Sequence, residues 1–326
     1  QFAFCTEYSK KFRRYLLNIY PMASPKQIYG LIGYPVKHSL SASMHNAAFR
    51  SCGIDAEYRL FEVEPGDLED FLLNPDKEVC DIEANYVRGG DIAGFNITIP
   101  HKVRAKQILE RAFPPKSLSG ERDYHCMVIS GAINTVKRER EYTNTDVHGF
   151  LKSLEKDLQF KTEYKTALVV GCGGAGRAVV AGLSWAGANI KKIYIYEKNN
   201  KVAHLAQGHF SSFPELSGKW EFISHKHLPE IVKKCDLLVN ASPVGMKEGG
   251  PTIIDKELLH KGLFVYDLVY NRETELVKDA KFLGLPAYGG RGMLLYQGAA
   301  SWQFWTEKEP PMDVMRQALE SARREL

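Results

Sequence analysis

Ala167-Leu168-Val169-Val170-Gly171-Cys172-Gly173-Gly174-Ala175-Gly176 decides the reading of this 326-residue chain. Four apolar residues, the mark of a buried strand, run straight into glycines spaced G-x-G-x-x-G. Val179, Val180, Leu183 and Trp185 then carry a helical pattern. Glu197 stands 21 positions beyond Gly176, at the end of the next strand candidate, 193–196. Strand, glycine loop, helix, strand and acid form the order that binds a dinucleotide. The first glycine permits the tight turn, the second lets the backbone approach a pyrophosphate, and the third lets helix and strand pack closely. The helix N-terminus supplies free N–H donors and positive potential. Gly171, Gly173, Gly174, Ala175 and Gly176 are therefore expected to contact the cofactor, with Glu197 and Lys198 beside the adenosine ribose. A carboxylate at 197 accepts hydrogen bonds from the ribose hydroxyls and repels a 2′-phosphate, so NAD is expected. Lys198 and Lys201 could neutralise that phosphate and keep NADP as the alternative. Cys172 is read as a small loop residue.

Working outward, apolar runs at 28–33, 58–63 and 94–100 alternate with helical patterns at 43–52, 68–73 and 102–111. Residues 113–127, with two prolines and a glycine, read as an irregular excursion. Segments 132–136 and 142–146 bracket a charged turn, and a helix follows from 147 to 158. Beyond the glycine loop, 237–240 and 263–267 are buried-strand candidates, and 293–305 and 312–324 read as terminal helices. Strand–helix alternation predicts an α/β chain with mostly parallel sheets. The first part is an N-terminal α/β substrate domain. The second is a Rossmann-type, doubly wound dinucleotide-binding domain, with a cleft between the two. The expected division is 22–146 with 291–326 for the substrate domain and 147–290 for the cofactor domain, with residues 1–21 an extension outside the fold. That extension holds Lys10, Lys11, Arg13 and Arg14 beside apolar residues, so a short basic amphipathic helix is the competing reading.

Composition excludes several classes of protein. Apolar residues are 44% and charged residues 25%, an ordinary soluble balance, and a net charge of +4 is no concentrated basic face. No apolar run reaches the length of a membrane span. Neither nucleic-acid nor membrane binding is expected. Six scattered cysteines form no CxxC or zinc spacing, which points to reduced thiols and a cytoplasmic setting. His45, His101 and His148 have no metal-ligand spacing, so no metal is expected.

With a nucleotide loop in the second half, the substrate falls to the first. Ser39, Ser41, Asn96, Thr98, Lys102, Asn134, Asn144 and Asp146 gather at predicted strand ends, where a βαβ sheet opens its crevice. Small hydroxyls, amides, one lysine and one aspartate suit a polyhydroxylated anion. Oxidising a secondary alcohol requires a group that takes the hydroxyl proton, and the reverse reaction requires a donor. A partly buried lysine can do both. Lys102 opens a helix, where the helix dipole disfavours a cation, so a purely solvated role fits it poorly. Asp146 is placed both to orient that lysine and to cap the helix that follows.

Six ordered motifs also resemble one family: His38-Ser39-Leu40-Ser41-Ala42, Asn96-Ile97-Thr98-Ile99-Pro100-His101-Lys102, Gly131-Ala132-Ile133-Asn134-Thr135, Asn144-Thr145-Asp146, Asn240-Ala241-Ser242-Pro243-Val244-Gly245-Met246 and Gly292-Met293-Leu294-Leu295-Tyr296-Gln297. Together they resemble the shikimate dehydrogenases and quinate/shikimate dehydrogenases, from about residue 29 to the C-terminal helix. The resemblance implies reversible NAD(P)-dependent oxidation of shikimate to 3-dehydroshikimate by a monomer or homodimer. Lys102 and Asp146 would be the catalytic pair. Ser39, Ser41 and Tyr270 would hold the substrate carboxylate, and Asn134, Asp146, Thr98 and Gln297 the ring hydroxyls. Asn240, Ser242, Met246, Gly290 and Met293 would join the cofactor site. Alternatives are a quinate or aminoquinate dehydrogenase of the same fold, or a module that senses the metabolite without turnover. Three departures stand out: Ala42 replaces the family's proline, 113–128 is longer than its short acidic helix and lacks the DELT-like run, and Glu197-Lys198-Asn199 replaces the segment that grips a 2′-phosphate.

Overall fold

A computed structural model describes residues 26–115, 121–138, 140–185 and 189–323. Its first part runs β1 (Gln27–Gly33), α1 (Ser41–Ser51), β2 (Ala56–Glu62), α2 (Leu68–Leu73), β3 (Glu78–Cys80), β4 (Tyr86–Arg88), β5 (Ile92–Ile97), α3 (Lys102–Ala112), α4 (Glu121–Ser130), β6 (Thr135–Lys137), β7 (Tyr142–Thr143) and α5 (Thr145–Lys156). The second runs β8 (Thr166–Val170), α6 (Gly174–Ser184), β9 (Lys192–Tyr196), α7 (Asn200–Phe210), β10 (Trp220–Phe222), α8 (Leu228–Val232), β11 (Leu237–Asn240), β12 (Phe264–Asp267), α9 (Glu275–Phe282) and β13 (Ala287–Gly289), and α10 (Arg291–Thr306) and α11 (Met312–Arg323) close the chain.

Two main sheets result. One has the order β2-β1-β5-β6-β7, parallel in its first three strands and antiparallel at β6 and β7. The other, β10-β9-β8-β11-β12-β13, is parallel throughout. This second order is the doubly wound arrangement, and its reversal of direction falls between β8 and β11. Strand β8 is apolar because both its faces are covered: Ala167, Leu168 and Val169 are wholly buried, two of them in the core on one side and Leu168 on the other.

Two helices join the sheets. Phe150 and Leu154 of α5 belong to the core under the second sheet. Leu294, Leu295, Trp302 and Trp305 of α10, with Met315 and Leu319 of α11, pack instead with Tyr29, Met44 and Phe49 of the first. The helices α5 and α10 lie against each other at Gly149, where a Cβ would sit 2.7 Å from Gln297 Cβ and Met293 O. Any side chain there would wedge the pair apart.

The stretch 113–127 is not irregular throughout. Helix α4 begins at Glu121, and its Cys126 and Ile129 pack on Ala178 and Ala181 of α6. Tertiary burial overrides the weak local signal of Pro114, Pro115 and Gly120 upstream. Residues 1–21, with the readings attached to them, lie outside the described residues. No described helix is long and apolar enough to cross a membrane.

His45 carries a prediction about stability. It is fully buried in α1, stacked on Tyr58 with ring centroids 4.5 Å apart, and neither ring nitrogen has a hydrogen-bond partner among the described residues. Burial pushes its pKa down to about 3. The unfolded chain, with an ordinary histidine, binds the proton first, so stability is full above pH 6.5 and falls as the pH drops towards 3. His45 alone sets a slope of up to about 1.4 kcal/mol per pH unit in that window. Urea unfolding of His45→Phe should show a shallower acid slope than wild type; equal slopes would mean that His45 does not titrate as an isolated buried imidazole.

Candidate active site

The start of α3, beyond the carboxyl end of β5, meets the glycine loop of the second sheet at Gly174. The segment after β5 turns at Thr98, whose backbone N–H donates to Ile32 O at 2.9 Å, and His101 N closes the turn on Thr98 O at 3.0 Å. His101 is buried, with its Nε2 2.7 Å from Val63 O. This seats Lys102 at the first position of α3. The Lys102 side chain is 14% exposed, and its Nζ donates to Asp146 Oδ2 at 2.5 Å. Asn144 caps α5 by accepting from Asp146 N at 3.1 Å, so the cap falls two residues earlier than the sequence suggested and leaves the Asp146 carboxylate free for the lysine.

Asn134 ties this pair to the other sequence-predicted residues. Its Nδ2 donates to Asp146 Oδ1 at 3.0 Å and lies 3.2 Å from Gln297 Oε1, while its Oδ1 accepts from Thr145 N at 2.7 Å. Both Asp146 oxygens are thus engaged, and the aspartate is a fixed acceptor that aims the lysine. Ser39 and Ser41 lie beyond β1, where Ser39 Oγ accepts from Ser41 N at 3.3 Å. Ser39 faces the Tyr270 phenol, and Ser41 faces that of Tyr58. Burial raises the pKa of both phenols, with the serine hydroxyls opposing it, so each stays a neutral hydroxyl.

Asn96 takes a different part. It is 4% exposed, accepts from Tyr58 OH at 2.8 Å, and turns its Nδ2 towards Thr135 Oγ1 at 3.0 Å and Ser301 Oγ at 2.9 Å. Its amide is spent inside the protein, and it supports the site from below. Tyr58, Thr135, Thr145 and Ser301 complete that buried polar layer and were not singled out from the sequence. Ser301 had a usable signal: it stands four residues after Gln297 on an otherwise apolar helix, hence on the same face.

On the cofactor side, Gly171 has φ +96°, and a Cβ there would sit 2.8 Å from Ala241 C and Ser242 N. Only glycine fits between the adjoining loops at the point where strand order reverses. A Cβ at Gly176 would come within 2.1 Å of Gly171 O, whereas one at Gly173 would meet nothing within 4 Å. Helix α6 begins with no side-chain cap, so its first N–H groups face that open approach. Backbone donors beside a glycine that admits close approach fit a dinucleotide pyrophosphate. A Cβ at Gly174 would lie 2.7 Å from Lys102 Cβ, which puts the glycine loop in contact with the lysine.

Glu197 Oε2 accepts from Cys172 N at 2.7 Å and Oε1 from Asn199 N at 2.8 Å. The carboxylate therefore sits at the loop, with one backbone donor on each oxygen and lone pairs to spare. Lys198 is exposed beside it. Burial pushes the Cys172 thiol up to about 12, which makes it inert. Arg177, in the first turn of α6, is neither exposed nor ion-paired among the described residues: it is 5% exposed, with its guanidinium 6.0 Å from the Phe210 ring centre. Asn240 is buried and bonds Asp267 and Val244 O, Ser242 Oγ donates to Asn240 Oδ1 at 2.7 Å, and Met293 lies in the core under the second sheet. Asn240 and Ser242 thus brace the loop after β11, and Met293 packs from α10. Met246 is 48% exposed, and Gly290 caps α10, its N–H on Val269 O at 3.0 Å.

Fold and site together define a dinucleotide-dependent dehydrogenase with separate cofactor and substrate sheets. Residues 31–117 match the shikimate dehydrogenase substrate binding domain and 290–320 the shikimate 5'-dehydrogenase C-terminal domain. The shikimate dehydrogenase (NADP(+)) of Methanocella arvoryzae is 37% identical over 298 residues, 90% of this chain and 98% of the relative. A crystal structure of a shikimate dehydrogenase in complex with NADP+ aligns at TM-score 0.73 and 30% identity, covering 91% of this chain and 95% of that one. A quinate dehydrogenase from Corynebacterium glutamicum in complex with NAD also aligns at TM-score 0.73, with 25% identity and coverage of 91% and 99%. The chain belongs to the shikimate dehydrogenase family.

Proposed function

We propose that the protein interconverts shikimate and 3-dehydroshikimate with a nicotinamide dinucleotide, and that Lys102 moves the hydroxyl proton. The observation that carries this is the Lys102–Asp146–Asn134 chain of hydrogen bonds set against the glycine loop at Gly174. When bound, the nicotinamide supplies the hydride acceptor or donor. Gly171, Gly173, Gly174, Ala175 and Gly176 would hold its pyrophosphate, Glu197 and Lys198 the adenosine ribose, and Met246 and Gly290 the nicotinamide end.

The remaining work falls to the protein's own side chains. Ser39, Ser41 and Tyr270 present three hydroxyls to the substrate carboxylate, and Thr98, Asn134 and Gln297 orient the ring hydroxyls. Asp146 directs one N–H of Lys102 to itself and leaves the others for the reacting oxygen. In the direction of reduction that lysine donates a proton as negative charge grows on the carbonyl oxygen, and in oxidation it withdraws one. The intact pair speaks against a sensing module, which would need no proton-transfer group. Quinate is the second substrate to test, on the likeness to the quinate dehydrogenase. Steady-state assays of shikimate and quinate, each with NAD and NADP, test the reading: turnover of shikimate supports it, and turnover of quinate alone replaces it.

Glu197 favours NAD, because a 2′-phosphate would be brought against a carboxylate already committed to Cys172 N. The NADP-dependent relatives set the opposite expectation, and the assay decides between them. Glu197→Gln should lower the NAD/NADP ratio of kcat/KM by about tenfold, the effect of roughly 1.4 kcal/mol. An unchanged ratio would remove Glu197 from the choice of cofactor.

The division into 22–146 with 291–326 and 147–290 remains our reading. The two sheets support it, as does the packing of α10 and α11 on the first. It is refined by α5, which packs under the second sheet while its first turn supplies Asp146. A cytoplasmic monomer or homodimer is proposed on the scattered cysteines and the absence of any long apolar run in the sequence.

A further inference from the structure

Met246 is half exposed, on a side chain with three rotatable bonds, so side-chain packing cannot place it. Its backbone is held instead. Three successive carbonyls take hydrogen bonds from two successive side chains: Arg272 Nη1 donates to Gly245 O at 3.2 Å and to Lys247 O at 3.1 Å, and Asn271 Nδ2 donates to Met246 O at 3.2 Å. The contact is shaped for this pairing. Gly245 has φ +93°, and a Cβ there would lie 2.8 Å from Thr274 Cγ2. Beneath both loops Asp267, wholly buried, accepts from Asn240 Nδ2 and Val269 N at 2.9 Å and from Thr274 Oγ1 at 2.7 Å.

The same short segment reaches the substrate side. Tyr270, next to Asn271, packs against the core of the first sheet, and its phenol faces Ser39. Leu268 O lies where a Cβ of Gly290 would come within 2.1 Å, so the segment is also wedged under the start of the helix that carries Gln297. One stretch, 267–274, thus holds the Met246 loop by its carbonyls and sets a phenol towards Ser39.

We propose that Asn271 and Arg272 are positioning residues for hydride transfer, clamping the 245–247 backbone so that Met246 is held in register with Tyr270. This inference rests on the dehydrogenase reading above. The clamp acts on the ring that Met246 would support, not on the substrate. Its loss therefore affects dinucleotide use and the hydride step while shikimate affinity is kept.

The test uses the full-length enzyme with Arg272→Met, Arg272→Lys and Asn271→Ala. For Arg272→Met we expect kcat to fall roughly tenfold, within the range for sub-ångström misplacement of a reacting group. The dinucleotide KM should rise several-fold and the shikimate KM should stay within twofold. The primary isotope effect with shikimate deuterated at the reacting carbon should rise as hydride transfer becomes slower than product release. Arg272→Lys, a single point donor that reaches one carbonyl, should fall between wild type and Arg272→Met. If Arg272→Met fails to fold, Arg272→Lys and Asn271→Ala carry the same expectation. Constants within twofold of wild type, or losses that follow a lowered Tm with no change in isotope effect, would overturn the clamp. Fluorescence titration with reduced dinucleotide alone separates the two levels. Weaker binding by Arg272→Met supports the clamp even if wild type turns over neither shikimate nor quinate, whereas that lack of turnover would itself overturn the function. Equal binding with normal turnover overturns the clamp alone.

Discussion

Lys102→Met should lower kcat for shikimate oxidation by at least about a hundredfold, the low end of the contribution of a general acid–base group. The arrangement leaves no substitute. Asp146 is committed to Lys102 and Asn134, and amides such as Asn134 and Gln297 do not exchange protons at neutral pH. The variant also strands a carboxylate that is 4% exposed, which carries a cost in stability of about 3–5 kcal/mol when one partner of a buried pair is removed. Low activity alone could then reflect unfolding, so the double variant Lys102→Met/Asp146→Asn is the control. It removes both charges, should recover much of the lost Tm, and should remain as inactive as the single variant. A stable double variant with near-normal turnover would remove the pair from the chemistry.

The second large effect is expected at a residue with no functional group. Gly174→Ala would bring a methyl to 2.7 Å from Lys102 Cβ and 3.0 Å from its Cδ. A contact with the root of the side chain cannot be relieved by rotating its tip, so either the start of α3 or the glycine loop must shift. Displacing a catalytic group by about an ångström costs up to roughly a hundredfold in rate. We expect kcat to fall ten- to a hundredfold, with a Tm close to wild type because Gly174 lies at a partly exposed helix start. Unchanged kcat would mean that the glycine loop and the lysine can separate without consequence. The same reasoning ranks Gly173→Ala as mild for folding, since its Cβ meets no protein atom within 4 Å; any loss there should appear in dinucleotide KM.

Much of this architecture is written in local pattern. The strand and glycine loop at 167–176 identify the second sheet because buried parallel strands are continuously apolar and the turn into α6 demands glycine. Helix α2 and strand β11 fall at their expected residues. Elements whose burial comes from distant partners were harder to see. Helix α4 follows two prolines and is held by α6, and α7 begins just after Asn199, whose side chain caps it by accepting from Lys201 N and Val202 N. The short strands β3, β4, β10 and β13 have three residues each, too few to show a period.

The candidate site shows the same division. Lys102, Asp146, Asn134 and Gln297 do come together, although 195 residues separate the first from the last in the sequence numbering. Family likeness groups such residues, but it does not distinguish a side chain that faces the cleft from one that supports it. Asn96, Asn240 and Met293 stand in matching motifs and are all buried. Asn96 has its amide filled by Tyr58, Thr135 and Ser301, and those partners lie on β2, β6 and α10. No sequence spacing connects them. Nor could spacing show that Gly174 touches Lys102, because the contact depends on how two sheets approach each other.

The decisive experiment mixes the enzyme with shikimate and NAD or NADP, follows the near-ultraviolet absorbance of reduced nicotinamide and identifies the product by NMR. Reduced dinucleotide and 3-dehydroshikimate should appear in equal amounts, and Lys102→Met should slow the formation of both by at least about a hundredfold. Shikimate that binds without forming either product, with both dinucleotides supplied, would contradict it and leave a metabolite-binding module in its place.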